Sequence, residues 1–156
     1  MFKQLLILFA CLWVTGGIAI ADPTTTAKLA PADEYFGRLK MSVLGIQNVV
    51  KDMRLRVQAD PGKTESIFGA LAMVENSIHD WESKYPEDTW IAKDLLALEI
   101  TYLAAAGEKA RSVAVRIEAW LHHDYPGSPY AAQARDELAK ADATTAPFQT
   151  SASPQR

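Results

Sequence analysis

One passage of this chain occurs twice. Ile78, Trp81, Tyr85-Pro86, Trp90 and Ala92-Lys93 recur in the same order as Ile117, Trp120, Tyr125-Pro126, Tyr130 and Ala132-Gln133, offset by 39 to 40 residues. A period of that length belongs to stacked helical pairs, in which each unit buries its apolar face only against its neighbours. The duplication therefore specifies a scaffold before any chemistry, and it names neither substrate nor partner.

The helices follow from spacing and punctuation. Ile67, Leu71, Val74, Ile78 and Trp81 advance in steps of four and three, the interval that lines one face of a helix. Pro86 disfavours helical geometry at Tyr85, so this helix is expected over 64–84, after the turn Asp60-Pro61-Gly62-Lys63-Thr64. Asp88 is the N-cap of the next helix, whose two apolar stripes, Ile91/Leu95/Leu98/Tyr102 and Leu96/Ile100/Leu103, require cover on two sides. Gly107 provides the turn out. A further helix from about Glu108 turns Ala110, Val113, Ile117, Trp120 and Leu121 inward and again ends at Tyr-Pro. The last opens with Ser128 as N-cap and Pro129 in the first turn, with Ala131, Ala134, Leu138 and Ala141 as its stripe. Ahead of the repeats, Ile46, Val49, Val50, Met53 and Val57 mark one more helix over 42–57, with Gly45 near its start. Strand signals are nearly missing. The expected fold is all-α, with five helices and the last four forming two antiparallel hairpins.

The flanks read differently. Lys3, the apolar run Leu5 to Val14 and the ending Ala19-Ile20-Ala21 give residues 1–21 the pattern of a secretory signal cut after Ala21. Two rivals are weaker. Gly16-Gly17 interrupts an uncleaved anchor, and lipidation at Cys11 would leave too short an apolar region before it and strand Leu12 to Ala21 on the mature chain. Cys11 is the one cysteine, so the mature chain would hold no disulfide. Residues 22–32 and 143–156 are polar, Pro-, Thr- and Ala-rich, and are expected to be disordered, leaving a helical domain over 33–142. Without Lys3 the balance is 15 Lys and Arg against 19 acidic residues, net −4, which argues against nucleic acid or anionic lipid as the main partner.

The C-terminal copy carries a resemblance. Gly107-Glu108-Lys109-Ala110, Ile117-x-x-Trp120 and Asp124-Tyr125-Pro126-Gly127-Ser128-Pro129-Tyr130-Ala131-x-x-Ala134 resemble a tetratricopeptide-like repeat. The variant is the one in envelope proteins of the outer-membrane assembly lipoprotein and cell-division coordinator type. It implies helical hairpins that bind other proteins, in a periplasmic or secreted setting. The period exceeds the usual 34 residues, and two hairpins are fewer than the three or more such arrays stack. Residues 33–40 with helix 42–57 are the expected cap.

No residue set compels catalysis. His122-His123-Asp124, with Glu118 one turn earlier, holds metal-ligand types, but adjacent histidines diverge by about 100° on a helix. His79-Asp80 diverges likewise and has no nucleophile placed beside it. No metal, cofactor or enzymatic activity is therefore expected. Trp81, Trp90, Trp120, Tyr85, Tyr125 and Tyr130 are read as packing between hairpins. The candidate partner-binding residues are Tyr35, Phe36, Arg38 and Lys40, which mix aromatics with cations outside the repeat, with Lys51, Arg54 and Arg56 close behind. The resulting expectation is an exported, non-catalytic interaction module whose partner is another envelope protein or a second copy. The alternative is a small ligand-binding protein or hydrolase with a pocket near helix 42–57.

Overall fold

The computed structural model describes residues 28–62 and 64–145. The expected signal segment 1–21, the first part of the 22–32 linker and most of the 143–156 tail lie outside the described residues. Five helices follow in order: α1 (Val43–Ala59), α2 (Glu65–Lys84), α3 (Thr89–Leu103), α4 (Glu108–Asp124) and α5 (Pro129–Thr145). Among the described residues there is no strand, only an isolated antiparallel bridge between Phe36 and Met41. The fold is all-α.

Local chemistry sets the helix ends. Ser42 Oγ accepts from the Gly45 amide at 3.1 Å to cap α1, and Asp88 accepts from the Trp90 amide at 3.0 Å to cap α3. Ser128 Oγ does the same for Tyr130 at 3.2 Å, one residue before Pro129 begins α5. At both Tyr-Pro pairs the tyrosine amide donates to the carbonyl of the residue four earlier, closing the last turn. Gly107 has φ 101° between α3 and α4, a conformation that a side chain would strain.

Within each expected pair the side chains meet in antiparallel order. Glu75 bonds Tyr102 and Trp81 bonds Asp88 between α2 and α3, while Arg111 pairs with Asp142 and Arg135 with Glu118 between α4 and α5. The most extensive packing nevertheless lies between α3 and α4, so the helices form one continuous stack and not two separable pairs. α3 touches all four other helices, which explains its two apolar stripes. Ile91, Leu95 and Leu98 are fully buried, and Asp94, Glu99 and Thr101 are drawn inside with them.

α2 and α4 are joined by side chains in parallel register. Lys109 reaches Glu65 at 3.2 Å, Arg116 reaches Glu75 at 2.7 Å, and the Tyr125 hydroxyl donates to Glu82 at 2.7 Å. These partners are 41 to 44 residues apart, close to the sequence period.

The start of the folded region differs from expectation. The Ala30 amide donates to Asp88 Oδ2 at 2.8 Å, so the packed chain begins before residue 33. At the other end α5 continues to Thr145, past 142. Residues 28–41 form a strap across the C-terminal end of α2. Gly37 (φ 68°) lets the strap turn, and a Cβ there would lie 2.7 Å from Ser77 Cα, so no other residue fits without movement.

Candidate binding surface

The four partner-binding candidates separate. Tyr35, Arg38 and Lys40 are exposed, and Lys40 adopts a left-handed φ of 53°. Phe36 does not belong with them, because it is fully buried, stacked on Trp81 at 5.6 Å and edge-on to Tyr85 at 6.1 Å. The tight Phe36–Met41 turn and the Gly37 amide, which donates to Asp80 at 2.8 Å, fold the ring inward. The same bond, helped by Lys84, holds the Asp80 carboxyl below its ordinary pKa. Phe36 is core.

The other chemical candidates are dispersed or committed elsewhere. His79 stacks on Trp120 at 3.9 Å, while its neighbour Asp80 is occupied by Gly37 and Lys84. His123 Nδ1 lies 2.6 Å from Asp124, and Glu118 turns to Arg135 on α5, away from His122. Among the described residues no group of three or more His, Cys, Asp or Glu is placed to hold a metal ion. No helix there is long and apolar enough to cross a membrane.

Of the repeated aromatics, Trp81 is buried as expected and donates its indole N–H to Asp88 at 3.1 Å. Trp120, Tyr85, Tyr125 and Tyr130 are half-buried against the core. Trp120 joins Tyr125 in donating to Glu82, linking α4 to α2. Burial and that carboxylate push the Tyr125 phenol well above its usual range. Trp90 departs from the pattern. It is 44 % exposed, because its place in the first turn of α3 faces the gap beside α1.

That gap holds a concavity with mostly apolar walls. Leu29, Ala30, Val43, Leu44 and Trp90 wall a pit of about 280 Å³ whose floor includes Trp81 and Asp88. Asp88 is buried and already accepts three hydrogen bonds, from Ala30, Trp81 and Trp90, so it is structural and has little capacity left for a ligand. Leu29, Leu44 and Trp90, large and substantially exposed, form the rim. Further along the same α1/α3 furrow lies a second hollow of about 220 Å³, lined by Lys51, Arg54, Lys93 and the Gln47–Asp94 pair. Gln47 donates to both Asp94 oxygens at 3.2 Å. Burial pushes Asp94 up to about 6, against the opposing pull of Gln47 and Lys93.

One interior group has no such partner. Glu99 is fully buried, and neither carboxyl oxygen makes a hydrogen bond within the protein. Burial pushes it up to about 8, and Glu118 and Glu137 add to the shift, so the acid is protonated at neutral pH.

No protein-family model matches the chain, and comparison with curated proteins and with solved structures gives no match. The furrow, Asp94 and Glu99 were not singled out in the sequence. The signal for the two acids was available, since both sit on a helix whose apolar stripes leave almost no outer face. Trp90 stands out in the sequence as a repeated aromatic and reads as packing, and Leu44, outside the α1 stripe, carries no signal of its own.

Proposed function

We propose that this chain is an exported, tetratricopeptide-like interaction module of the bacterial cell envelope, acting by presenting a fixed surface to another protein and not by catalysis. The observation that carries the reading is where large apolar side chains remain exposed. Leu29, Tyr35, Leu39, Leu44, Leu55 and Trp90 all belong to the strap, α1 and the first turn of α3, whereas α4 contributes Val115 and α5 none. A helical stack that ended its own packing would cover or avoid such groups at both ends. The parallel α2/α4 register, spaced close to the sequence period, supports the repeat reading.

The test is chemical crosslinking of the protein in its native envelope, with mass spectrometry of the captured species. A stoichiometric partner whose crosslinks map to the strap and α1 is the expected outcome. Recovery of only the monomer, under mild salt, would sink the reading.

The alternative, a small ligand-binding protein or hydrolase, gains one observation: the pit lies beside α1, where that pocket was expected. At about 280 Å³ it is just under the range of about 300–1,000 Å³ typical of ligand clefts, and it stands open to solvent. His79 and His122 do not line it. Ligand-linked thermal stabilisation that Leu44→Ser abolishes would favour this second reading.

A further inference from the structure

The charges of the molecule are segregated. Residues 28–59 hold six Lys and Arg against three Asp and Glu, while residues 60–145 hold eight against fifteen. Pairing follows the same division except at Lys93. In the later part Lys84, Lys109, Arg111, Arg116, Arg135 and Lys140 each meet a carboxylate. Among the described residues Lys51, Arg54 and Lys93 make no ion pair, although all three line one hollow. Lys93 extends back over the Trp90 ring, 4.4 Å from its centroid, so cations and apolar pit are contiguous.

We propose that the α1/α3 furrow receives an acidic amphipathic segment of another protein, which seats one large apolar side chain in the Leu44/Trp90 pit and lays carboxylates against Lys51, Arg54 and Lys93. The proposal rests on the interaction-module reading and names the partner's chemistry. The pit's volume accommodates a single anchoring side chain, and its two polar lining residues are already engaged, Gln47 with Asp94 and Asp88 with Ala30, Trp81 and Trp90, so an apolar side chain suits it best. Lys51 and Arg54 follow Leu44 by seven and ten positions, about 10 and 15 Å along the helix axis. A helical partner therefore carries its acids two to three turns from the anchor, and an extended one carries them three or four residues away.

Other occupants fit less well. A second copy docking furrow to furrow would set these cations against themselves, and one docking head to tail would bring, among the described residues, only Val115 as a large exposed apolar group. A lipid surface calls for apolar groups that project outward together, whereas this pit is recessed between two helices.

The full-length chain is titrated with fluorescein-labelled synthetic peptides carrying one Phe, Leu or Trp anchor and two Glu at either spacing. Matched peptides replace Glu by Lys or the anchor by Ala. Saturable binding that either change weakens by about tenfold or more is expected. Leu44→Ser and, independently, Lys51→Glu should each reproduce that loss with the helical circular dichroism unchanged. No binding by any acidic member, or equal binding of the Lys peptides, overturns the proposal. So does displacement of the peptides by phosphatidylglycerol vesicles, which would assign the furrow to a membrane. Crosslinking of a stoichiometric envelope partner elsewhere on the surface, with no peptide bound, would remove this site and leave the module reading standing. Loss of both would remove both.

Discussion

The two copies of the repeat share a signature but differ in what lies in front of them. In the second, Trp120 meets α2: His79 stacks on its ring and Glu82 accepts its indole N–H, so one helix covers the next through polar side chains. In the first, the stacking and hydrogen-bonding partners of Trp81 lie outside the helices. Phe36 of the strap stacks on its ring, and Asp88, the cap of the following helix, accepts its indole N–H. An irregular segment of 28–41 thus takes the place that a preceding helix would occupy. It does so with a buried aromatic where the later copy uses a half-exposed histidine. The difference teaches that covering the core and finishing the surface are separate tasks. The strap shields Trp81 but leaves the Leu44/Trp90 rim and the α1 cations unmatched.

The caps of the two copies offer the sharpest way to break this comparison. Asp88→Ala leaves a buried indole and two amides without their acceptor, and is expected to cost about 3 to 4 kcal/mol by denaturant unfolding. Ser128→Ala removes one half-buried cap bond and is expected to cost about 1 kcal/mol. Equal losses would mean that the strap contributes nothing through Asp88.

Gly37→Ala tests the strap alone. The positive φ and the approach to the Ser77 backbone should together cost about 2 to 3 kcal/mol, measured as a lowered thermal midpoint. Gly127→Ala, where a Cβ has open space and no positive φ opposes it, is the matching control and should change little.

A third measurement compares the two interior acids of α3. The folded-state pKa of Glu99, about 8, stands above its unfolded value of 4.5, so its contribution to stability is complete below 4.5 and is lost as pH rises to about 8. Asp94 contributes in the same sense, but only up to about 6. Between pH 6.5 and 7.5 the slope of unfolding free energy attributable to Glu99 is therefore negative and about 1 kcal/mol per unit in size. Glu99→Gln should flatten it, and an unaltered slope would mean that Glu99 is solvated. Smallest of all, Arg116→Ala should cost about 0.5 kcal/mol through its pair with Glu75, and Lys51→Ala close to nothing.

The helices were legible because their signals are local. Periodic Ile67, Leu71, Val74 and Ile78, the two Tyr-Pro stops and the caps Asp88 and Ser128 each act within a turn or two, and all appear where spacing placed them. Phe36 was misplaced because its burial depends on a partner 45 residues away and on Gly37 turning the chain. Net charge misled in the opposite direction. A total of −4 for the chain without its signal conceals a basic end, since summing over the sequence discards where on the stack each charge lies. The furrow itself required tertiary knowledge, because nothing in the spacing of either helix fixes how α1 and α3 approach.

Asp88 draws its three donors from very different distances along the chain: two residues on, seven back and fifty-eight back. The first two form with the helices themselves, whereas the third needs the strap to return over α2. The strap can therefore peel and reseat while α2 and α3 stay intact, so the Ala30 amide should exchange its hydrogen with solvent through a local opening long before the Trp81 indole does. The wall of the pit that Leu29 and Ala30 supply is thus fastened by a bond that only the tertiary fold closes.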